Sequence, residues 1–94
     1  MAEEGSNGWL PFDDAVRRAR QSLESVTGRR PEGVSGANRI EDGRWIVALD
    51  VVELARIPPS TDVLATYEIT LDPAGELVEM ARVRRFMRAQ ASED

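Results

Sequence analysis

The sequence predicts an α+β domain in which one N-terminal helix packs on a four-stranded antiparallel β-meander. Two observations carry this prediction. A stretch near the N-terminus has apolar residues at helical spacing, and later stretches alternate apolar with polar residues. Short turn sequences separate the strand-like stretches, and all of them follow the helical one. Helices and strands that are segregated along a chain in this way are typical of α+β domains.

The helix is predicted over Pro11–Thr27 because charged residues occupy the side opposite the apolar ones. Pro11 suits the first turn, where a backbone N–H would have no partner. Gly28 suits the left-handed position that follows the C-cap. The residues expected to face the core are Phe12, Ala15, Val16, Ala19, Leu23 and Val26.

The middle of the chain predicts two strands of unequal length. Weak alternation indicates a short edge strand at Ala37–Ile40, and a turn then leads into a long strand at Arg44–Arg56. Trp45 lies on the apolar face of the long strand, so we expect its indole in the core. Glu53 falls on that same face, which predicts either a bulge that re-aims the strand or cover on both faces.

The last hairpin has the clearest pattern, with strands predicted at Val63–Leu71 and Leu77–Met87. Proline and glycine between them favour a three-residue loop closed by a type I turn and a left-handed glycine, Gly75. Extending the ladder from that turn predicts three facing pairs on the core side: Leu71 with Leu77, Tyr67 with Ala81, and Ala65 with Val83.

Length and composition limit the possible functions. With 94 residues, 41% of them hydrophobic, the chain can form one small core. We expect that domain at residues 9–89, a flexible tail at 1–8 and a polar end at 90–94. The absence of histidine and cysteine removes the commonest general base, metal ligand and thiol nucleophile, so the sequence predicts no enzyme, cofactor or metal site. It also fits a reducing cytoplasm.

The charge distribution argues against a nucleic-acid partner. The formal net charge is −5, although the last strand is rich in arginine. No apolar run approaches the ~20 residues of a membrane-spanning helix, and residues 1–8 lack the apolar segment of a secretion signal. We therefore expect a cytoplasmic protein.

Two segments carry a family resemblance that spans roughly Phe12 to Arg88: RRPEGVSGANRIEDGRWIVALDVVELARIPPSTDVLATYEITLD and GELVEMARVRRFMRA. The most specific sequence motifs are VVELARIP at Val51–Pro58 and DVLATYE at Asp62–Glu68. The chain thereby resembles the gas vesicle protein O (GvpO) family. The resemblance implies an accessory protein that is needed for gas vesicle formation and works with other gas vesicle proteins, rather than a shell subunit or an enzyme.

Individual positions carry the resemblance further. The glycine and tryptophan that open the family's long strand correspond to Gly43 and Trp45, its acidic mid-strand position to Glu53, and its tyrosine-glutamate pair to Tyr67 and Glu68. The last strand departs from the family, which is usually more aromatic there. A role that requires a tyrosine hydroxyl in that strand is therefore not implied.

Charged and apolar residues that share the parity opposite the core suggest a protein-binding surface on the outer face of the sheet. An outer face that is half apolar favours a partner or a homodimer, whereas pairing with nearby glutamates would make the arginines a solvated surface. Glu53 needs a partner such as Arg85. Alternatives are a small-ligand site in a concave sheet and a peptide site on the Ala37–Ile40 edge. The predicted contact residues are Leu64, Glu68, Arg82, Arg84 and Phe86, with Arg88 on the same parity.

Overall fold

The computed structural model describes residues 10–89, and its architecture confirms the predicted fold class. One helix precedes a four-stranded antiparallel sheet in which the strands lie in chain order. The tails expected at 1–8 and 90–94 lie outside the described residues, so the proposed domain limits stay predictions. The elements are α1 (Phe12–Thr27), β1 (Gly33–Arg39), β2 (Trp45–Leu54), a short 3₁₀ turn (Pro59–Thr61), β3 (Val63–Leu71) and β4 (Leu77–Met87).

Helix α1 begins and ends where the sequence predicts. Pro11 precedes its first residue, and Gly28 adopts a left-handed conformation with φ of 74°. The Gly28 N–H donates to the carbonyl oxygen of Glu24 at 2.8 Å, which satisfies one of the last helical carbonyls. Three predicted core residues are fully buried (Ala15, Ala19 and Leu23), and Val16 is partly buried. Phe12 and Val26 are more than half exposed, contrary to that prediction.

The core lies between α1 and one face of the sheet. Trp45 is 6% exposed, and its indole N–H donates to the carbonyl oxygen of Leu10 at 3.1 Å. The ring of Phe12 meets the indole edge-on, with centroids 5.9 Å apart. The prediction of Trp45 as a core residue is confirmed. The other sheet residues in this core are Val47, Leu49, Val51, Ala65, Ile69 and Leu71.

The turn between β3 and β4 is confirmed. Gly75 has φ of 95°, and its N–H donates to the carbonyl oxygen of Asp72 at 2.8 Å. The Asp72 carboxylate accepts the N–H groups of Ala74 and Glu76 at 2.9 Å each. A Cβ at Gly75 would lie 2.7 Å from a side-chain carbon of Leu10, so the site also requires glycine for space.

The register of the last hairpin is correct at the turn and wrong beyond it. Leu71 faces Leu77 as predicted, but Tyr67 faces Arg82 instead of Ala81. Ala65 likewise faces Arg85 instead of Val83. The cause is two one-residue register shifts, at Val78 and Val83. Each shift exchanges the faces of the residues that follow, so the first reverses residues 79–82 and the second restores the predicted parity from Arg84 onwards.

Bulges also interrupt the first two strands. The pairing of β2 with β3 shifts at Glu53, which confirms the first of the two explanations offered for the blurred pattern there. Strand β1 shifts against β2 at Ser35 and is longer than the predicted edge strand. The early start of β1 at Gly33 could not be predicted, because residues 33–36 include two glycines and show little alternation of apolar and polar residues. The pairing of these residues comes from backbone hydrogen bonds to β2.

Candidate functional site

The sheet has one face covered by α1 and one that no other described element covers. Directly paired residues of antiparallel strands point to the same side, so the pairing assigns every strand residue to a face. We call the uncovered side the outer face. Its members are Gly33, Gly36 and Asn38 from β1, Ile46, Ala48, Asp50 and Val52 from β2, Leu64, Thr66, Glu68 and Thr70 from β3, and Glu79, Ala81, Arg84 and Phe86 from β4.

Four of the five predicted contact residues lie on the outer face. Leu64 faces Phe86 across the β3–β4 ladder, and the guanidinium carbon of Arg84 lies 4.3 Å from the centroid of the Phe86 ring. Arg84 and Glu68 are exposed, whereas Leu64 is only 3% exposed. Leu64 therefore supports the surface from below, while Arg84 and Phe86 present the accessible groups.

Arg82 does not belong to the outer face, so its predicted assignment to that face is wrong. It faces Tyr67, whose side chain packs against the core. The register shift at Val78 turns Arg82 to the helix side, where it donates to Glu53 at 3.2 and 3.3 Å. The same shift places Met80 against the core. The alternation of β4 could not reveal this, because apolar and charged residues occur on both parities.

Arg88 forms ion pairs with two carboxylates and is not part of the outer face. Its two terminal nitrogens donate to the two oxygens of Glu32 at 2.7 and 2.8 Å. It also donates to Asp62 at 2.9 Å, and the Asp62 carboxylate accepts the N–H of Arg56. These contacts tie the end of β4 to the segment before β1 and to the β2–β3 loop.

A second group of charged residues lies on the helix side, where the bulge of β2 faces β3 and β4. We call it the Glu53 cluster: Glu53, Tyr67, Arg82, Arg85 and Arg29. The Tyr67 hydroxyl donates to Glu53 at 3.1 Å, and Nε of Arg85 lies 3.1 Å from the same carboxylate. Arg29 donates to the backbone oxygens of Val52 and Glu53 at 3.0 and 3.3 Å. The predicted pairing of Glu53 with Arg85 is confirmed.

The electrostatics of the cluster keep Glu53 ionised. Burial raises the pKa of Glu53, but the hydrogen bonds from Arg82 and Tyr67 outweigh burial and hold the pKa below its usual value. Burial and the nearby Glu53 charge raise the pKa of Tyr67. A protonated phenol beside an ionised carboxylate can donate a hydrogen bond, but neither group has the poised pKa that proton transfer near neutral pH requires.

Sequence reasoning did not identify Arg29, Glu32 or Asp62 as participants. Arg29 and Glu32 belong to the segment after α1, where no periodic pattern assigns a direction to a side chain. Their contacts depend on how that segment crosses the sheet. Asp62 could have been suspected, because an aspartate directly before a strand often accepts loop N–H groups, as this one does from Arg56.

The described part of the chain offers little support for a metal site, a membrane-spanning helix or a small-ligand pocket. Within residues 10–89, no group of three acidic side chains is placed to hold a metal ion. No helix in that range is both long and apolar enough to cross a membrane. An open depression of about 720 Å³ lies at the β2–β3 loop, with Arg56 as its one charged lining residue, so polar groups do not converge there.

Comparison with known proteins gives consistent matches. A family model described as gas vesicle synthesis protein GvpO matches residues 2–92. Gas vesicle protein O of Streptomyces sp. (strain CB03234) is 43% identical over 76 residues, which are 81% of this chain and 59% of that protein. Gas vesicle protein O1 of Halobacterium salinarum is 30% identical over 83 residues, 88% of this chain and 69% of that protein.

A more distant relative extends the match to the whole chain. Gas vesicle protein O of Haloferax mediterranei is 23% identical over 94 residues, 100% of this chain and 67% of that protein. No solved structure matches the chain. The chain spans about three fifths of the length of its Streptomyces relative.

Proposed function

We propose that this chain, which belongs to the gas vesicle protein O family, is a non-enzymatic accessory protein that acts in gas vesicle formation by binding other gas vesicle proteins. The names of its relatives supply the process. Binding is the mechanism that the chemistry favours, since the chain has no histidine or cysteine. Its place of action in this proposal is the cytoplasm, in association with gas vesicles.

The outer face is the proposed contact surface, and the stacking of Arg84 on Phe86 is the observation that supports it most. Arginine and aromatic side chains supply much of the energy of protein interfaces. Here the guanidinium group lies 4.3 Å from the ring centroid, above the buried Leu64. Glu68 adds an exposed charge of opposite sign on the neighbouring strand. The surface therefore combines an apolar centre with charges that can select a partner.

The test measures both complex formation and vesicle yield in cells whose own copy of the gene has been replaced. Phe86→Ala and Arg84→Glu should each weaken the complex by about 1–3 kcal/mol, because they remove the accessible anchors of the surface. Captured gas vesicle proteins and the number of vesicles per cell should fall together. The melting temperature should change little, since both side chains lie outside the core.

Arg17→Glu serves as the matched control because it reverses one charge on the exposed side of α1, away from the sheet. It should leave capture and vesicle yield unchanged. Folded Phe86→Ala and Arg84→Glu variants that give normal vesicle yield would refute the outer face as the contact surface. The edge of β1 near Arg39 would then be the next surface to test. A stable homodimer that these two variants dissociate, with no gas vesicle protein captured, would assign the face to self-association.

A further inference from the structure

The Glu53 cluster carries more positive charge than its carboxylate can balance. Arg82 and Arg85 contact the single carboxylate of Glu53, and Arg29 donates to the backbone carbonyl oxygens of Val52 and Glu53 beside it. The Glu53 side chain is 12% exposed, whereas those of Arg82 and Arg85 are 48% and 54% exposed. The negative charge is therefore buried, and the surplus positive charge faces solvent.

The two exposed arginines also keep hydrogen-bond donors for a ligand. Each guanidinium group has five N–H donors in a planar fork. Arg82 contacts Glu53 through one terminal nitrogen, and Arg85 contacts it through Nε. Among residues 10–89, no hydrogen bond engages the second terminal nitrogen of Arg82 or either terminal nitrogen of Arg85. A carboxylate from outside can therefore approach these edges.

Arg88 shows what a closed arginine site looks like in the same protein. All three of its guanidinium nitrogens donate to Glu32 or Asp62, and its side chain is 35% exposed. Two carboxylates exceed its single positive charge. That group fastens three segments together, and four of its five N–H donors already bond to carboxylates. The Glu53 cluster has the opposite charge balance and open donors.

The backbone fixes the cluster before any ligand arrives. The register shift at Val83 leaves Arg82 and Arg85 on the same side of the sheet, and the register shift at Glu53 lies in the strand β2 that faces them across β3. Arg29 donates to the backbone carbonyl oxygen of Glu53 in that bulge. Glu53 then holds Arg82 and Arg85 in place, which reduces the entropy cost of binding. Bulges of this kind commonly re-aim side chains at sites of function.

From this arrangement we propose that Arg29, Arg82 and Arg85 form a binding site for an acidic segment of a partner protein. The carboxylates of glutamate or aspartate fit the guanidinium fork through paired N–H donors. The site lies on the helix side of the sheet, so it is separate from the outer face and does not depend on the function proposed for that face. A chain with both surfaces can hold two partners at once.

Charge favours an acidic peptide over a nucleic acid as the ligand. A nucleic-acid site needs a basic stripe long enough to neutralise several phosphates. Here the three arginines lie near one glutamate, and two further acidic residues, Glu32 and Asp62, pair with Arg88 at the same end of the sheet. Residues 10–89 contain all 12 arginines and 13 of the 17 acidic residues, so this part of the chain is not basic as a whole.

Binding of a fluorescent hexaglutamate peptide to the purified chain tests the site. Hexaglutamine serves as the neutral control. Arg82→Gln and Arg85→Gln should each weaken hexaglutamate binding about five- to tenfold, as expected for the loss of one charge-assisted contact. Arg44→Gln is the matched control, because it removes the same charge from a partly exposed arginine in the turn before β2, at the other end of the sheet. It should change the affinity by less than about twofold.

Glu53→Gln separates a binding site from a purely structural cluster. The substitution keeps the size of the side chain and an acceptor for Tyr67, but it removes the competing negative charge. It should lower the melting temperature and yet tighten hexaglutamate binding about three- to tenfold, because the arginines become free for the peptide. A structural cluster would lose affinity and stability together.

Three outcomes would overturn the proposal. Equal binding of hexaglutamate and hexaglutamine would show that no carboxylate is recognised. Equal loss of affinity in Arg44→Gln and Arg85→Gln would show attraction to overall charge rather than to this site. Tighter binding of a single-stranded DNA oligonucleotide, lost in the same Arg82 and Arg85 variants, would assign the arginines to nucleic acid instead.

Discussion

The two ends of the sheet are held together by different kinds of interaction. At the turn end, where Trp45, Leu71 and Leu77 lie, Leu10 and the start of α1 pack on apolar side chains. At the loop end, arginines join carboxylates from separate segments, in the Glu53 cluster and around Arg88. Apolar burial is not directional and leaves a periodic pattern in the sequence. Ion pairs require particular geometry, which here comes from bulges.

The largest expected effect is at the turn end. Trp45→Ala should lower the free energy of unfolding by about 3–5 kcal/mol, because it removes a buried indole and leaves a cavity. That is a large part of the stability of a domain of this size. Urea denaturation of the purified chain measures the change.

Trp45→Phe separates the contribution of buried aromatic volume from that of the indole hydrogen bond. It keeps an aromatic ring in the core but loses the N–H that donates to the carbonyl oxygen of Leu10. Its cost should be smaller than that of Trp45→Ala, about 1–3 kcal/mol. A cost below ~1 kcal/mol for Trp45→Ala would mean that the turn end does not depend on apolar burial, and the comparison between the two ends would fail.

The same difference explains how much could be predicted from the sequence. The helix, its glycine end, the Gly75 turn and the bounds of β3 and β4 follow from local residue chemistry, and the structure confirms them. The shifts at Val78 and Val83 could not be predicted, because β4 is an edge strand with exposed and apolar residues on both parities. No strong burial difference selects its register from sequence alone.

The candidate surface could be predicted only in part, because the two register shifts in β4 decide which of its residues lie on the outer face. Arg84 and Phe86 were assigned to the outer face correctly because the two shifts compensate before those residues. Arg82 lies between the shifts and was misassigned. The need for a partner at Glu53 followed from its position on an apolar face, but the contribution of Arg29 required the path of the chain after α1.

Removing the central carboxylate should have a smaller effect than removing the indole. Glu53→Ala should cost about 1–2 kcal/mol, because Tyr67 loses its acceptor while the half-exposed arginines regain water. Glu68→Ala is the matched control, an exposed glutamate on β3 whose loss should cost less than about 0.5 kcal/mol. Equal costs for the two variants would show that the loop end gains nothing from the Glu53 contacts.

Acid should loosen the loop end before the turn end. Hydrogen bonds from Arg88 lower the pKa of Glu32, and the Arg56 N–H followed by Arg88 lowers that of Asp62. Because these folded-state pKa values lie below the ordinary 4.5 and 3.8, their stabilisation is complete above the ordinary values. It is lost as the pH falls through the lower, folded values.

Arg88→Gln tests this pH dependence directly. The variant should show a weaker fall in unfolding free energy between about pH 5 and pH 3 than the natural chain, because the two pKa values return towards normal. Trp45→Phe should keep the natural pH dependence despite its lower stability. Denaturation curves at several pH values supply the comparison, and parallel pH profiles for the Arg88→Gln variant and the natural chain would contradict it.

The smallest expected changes in stability come from two neighbouring arginines near the end of β4, Arg84 on the outer face and Arg85 on the helix side. Arg84→Ala loses a stacking contact with Phe86 at an exposed site, which should cost about 0.5 kcal/mol. Arg85→Ala, one residue further, should cost somewhat more, up to about 1 kcal/mol, because it removes an ion pair from a carboxylate that is mostly buried. Urea denaturation of both variants under identical conditions provides the comparison. A cost well above 1 kcal/mol for Arg84→Ala would make the outer-face arginine part of the fold, and a loss of vesicle yield in its variants could then no longer be attributed to a lost partner contact.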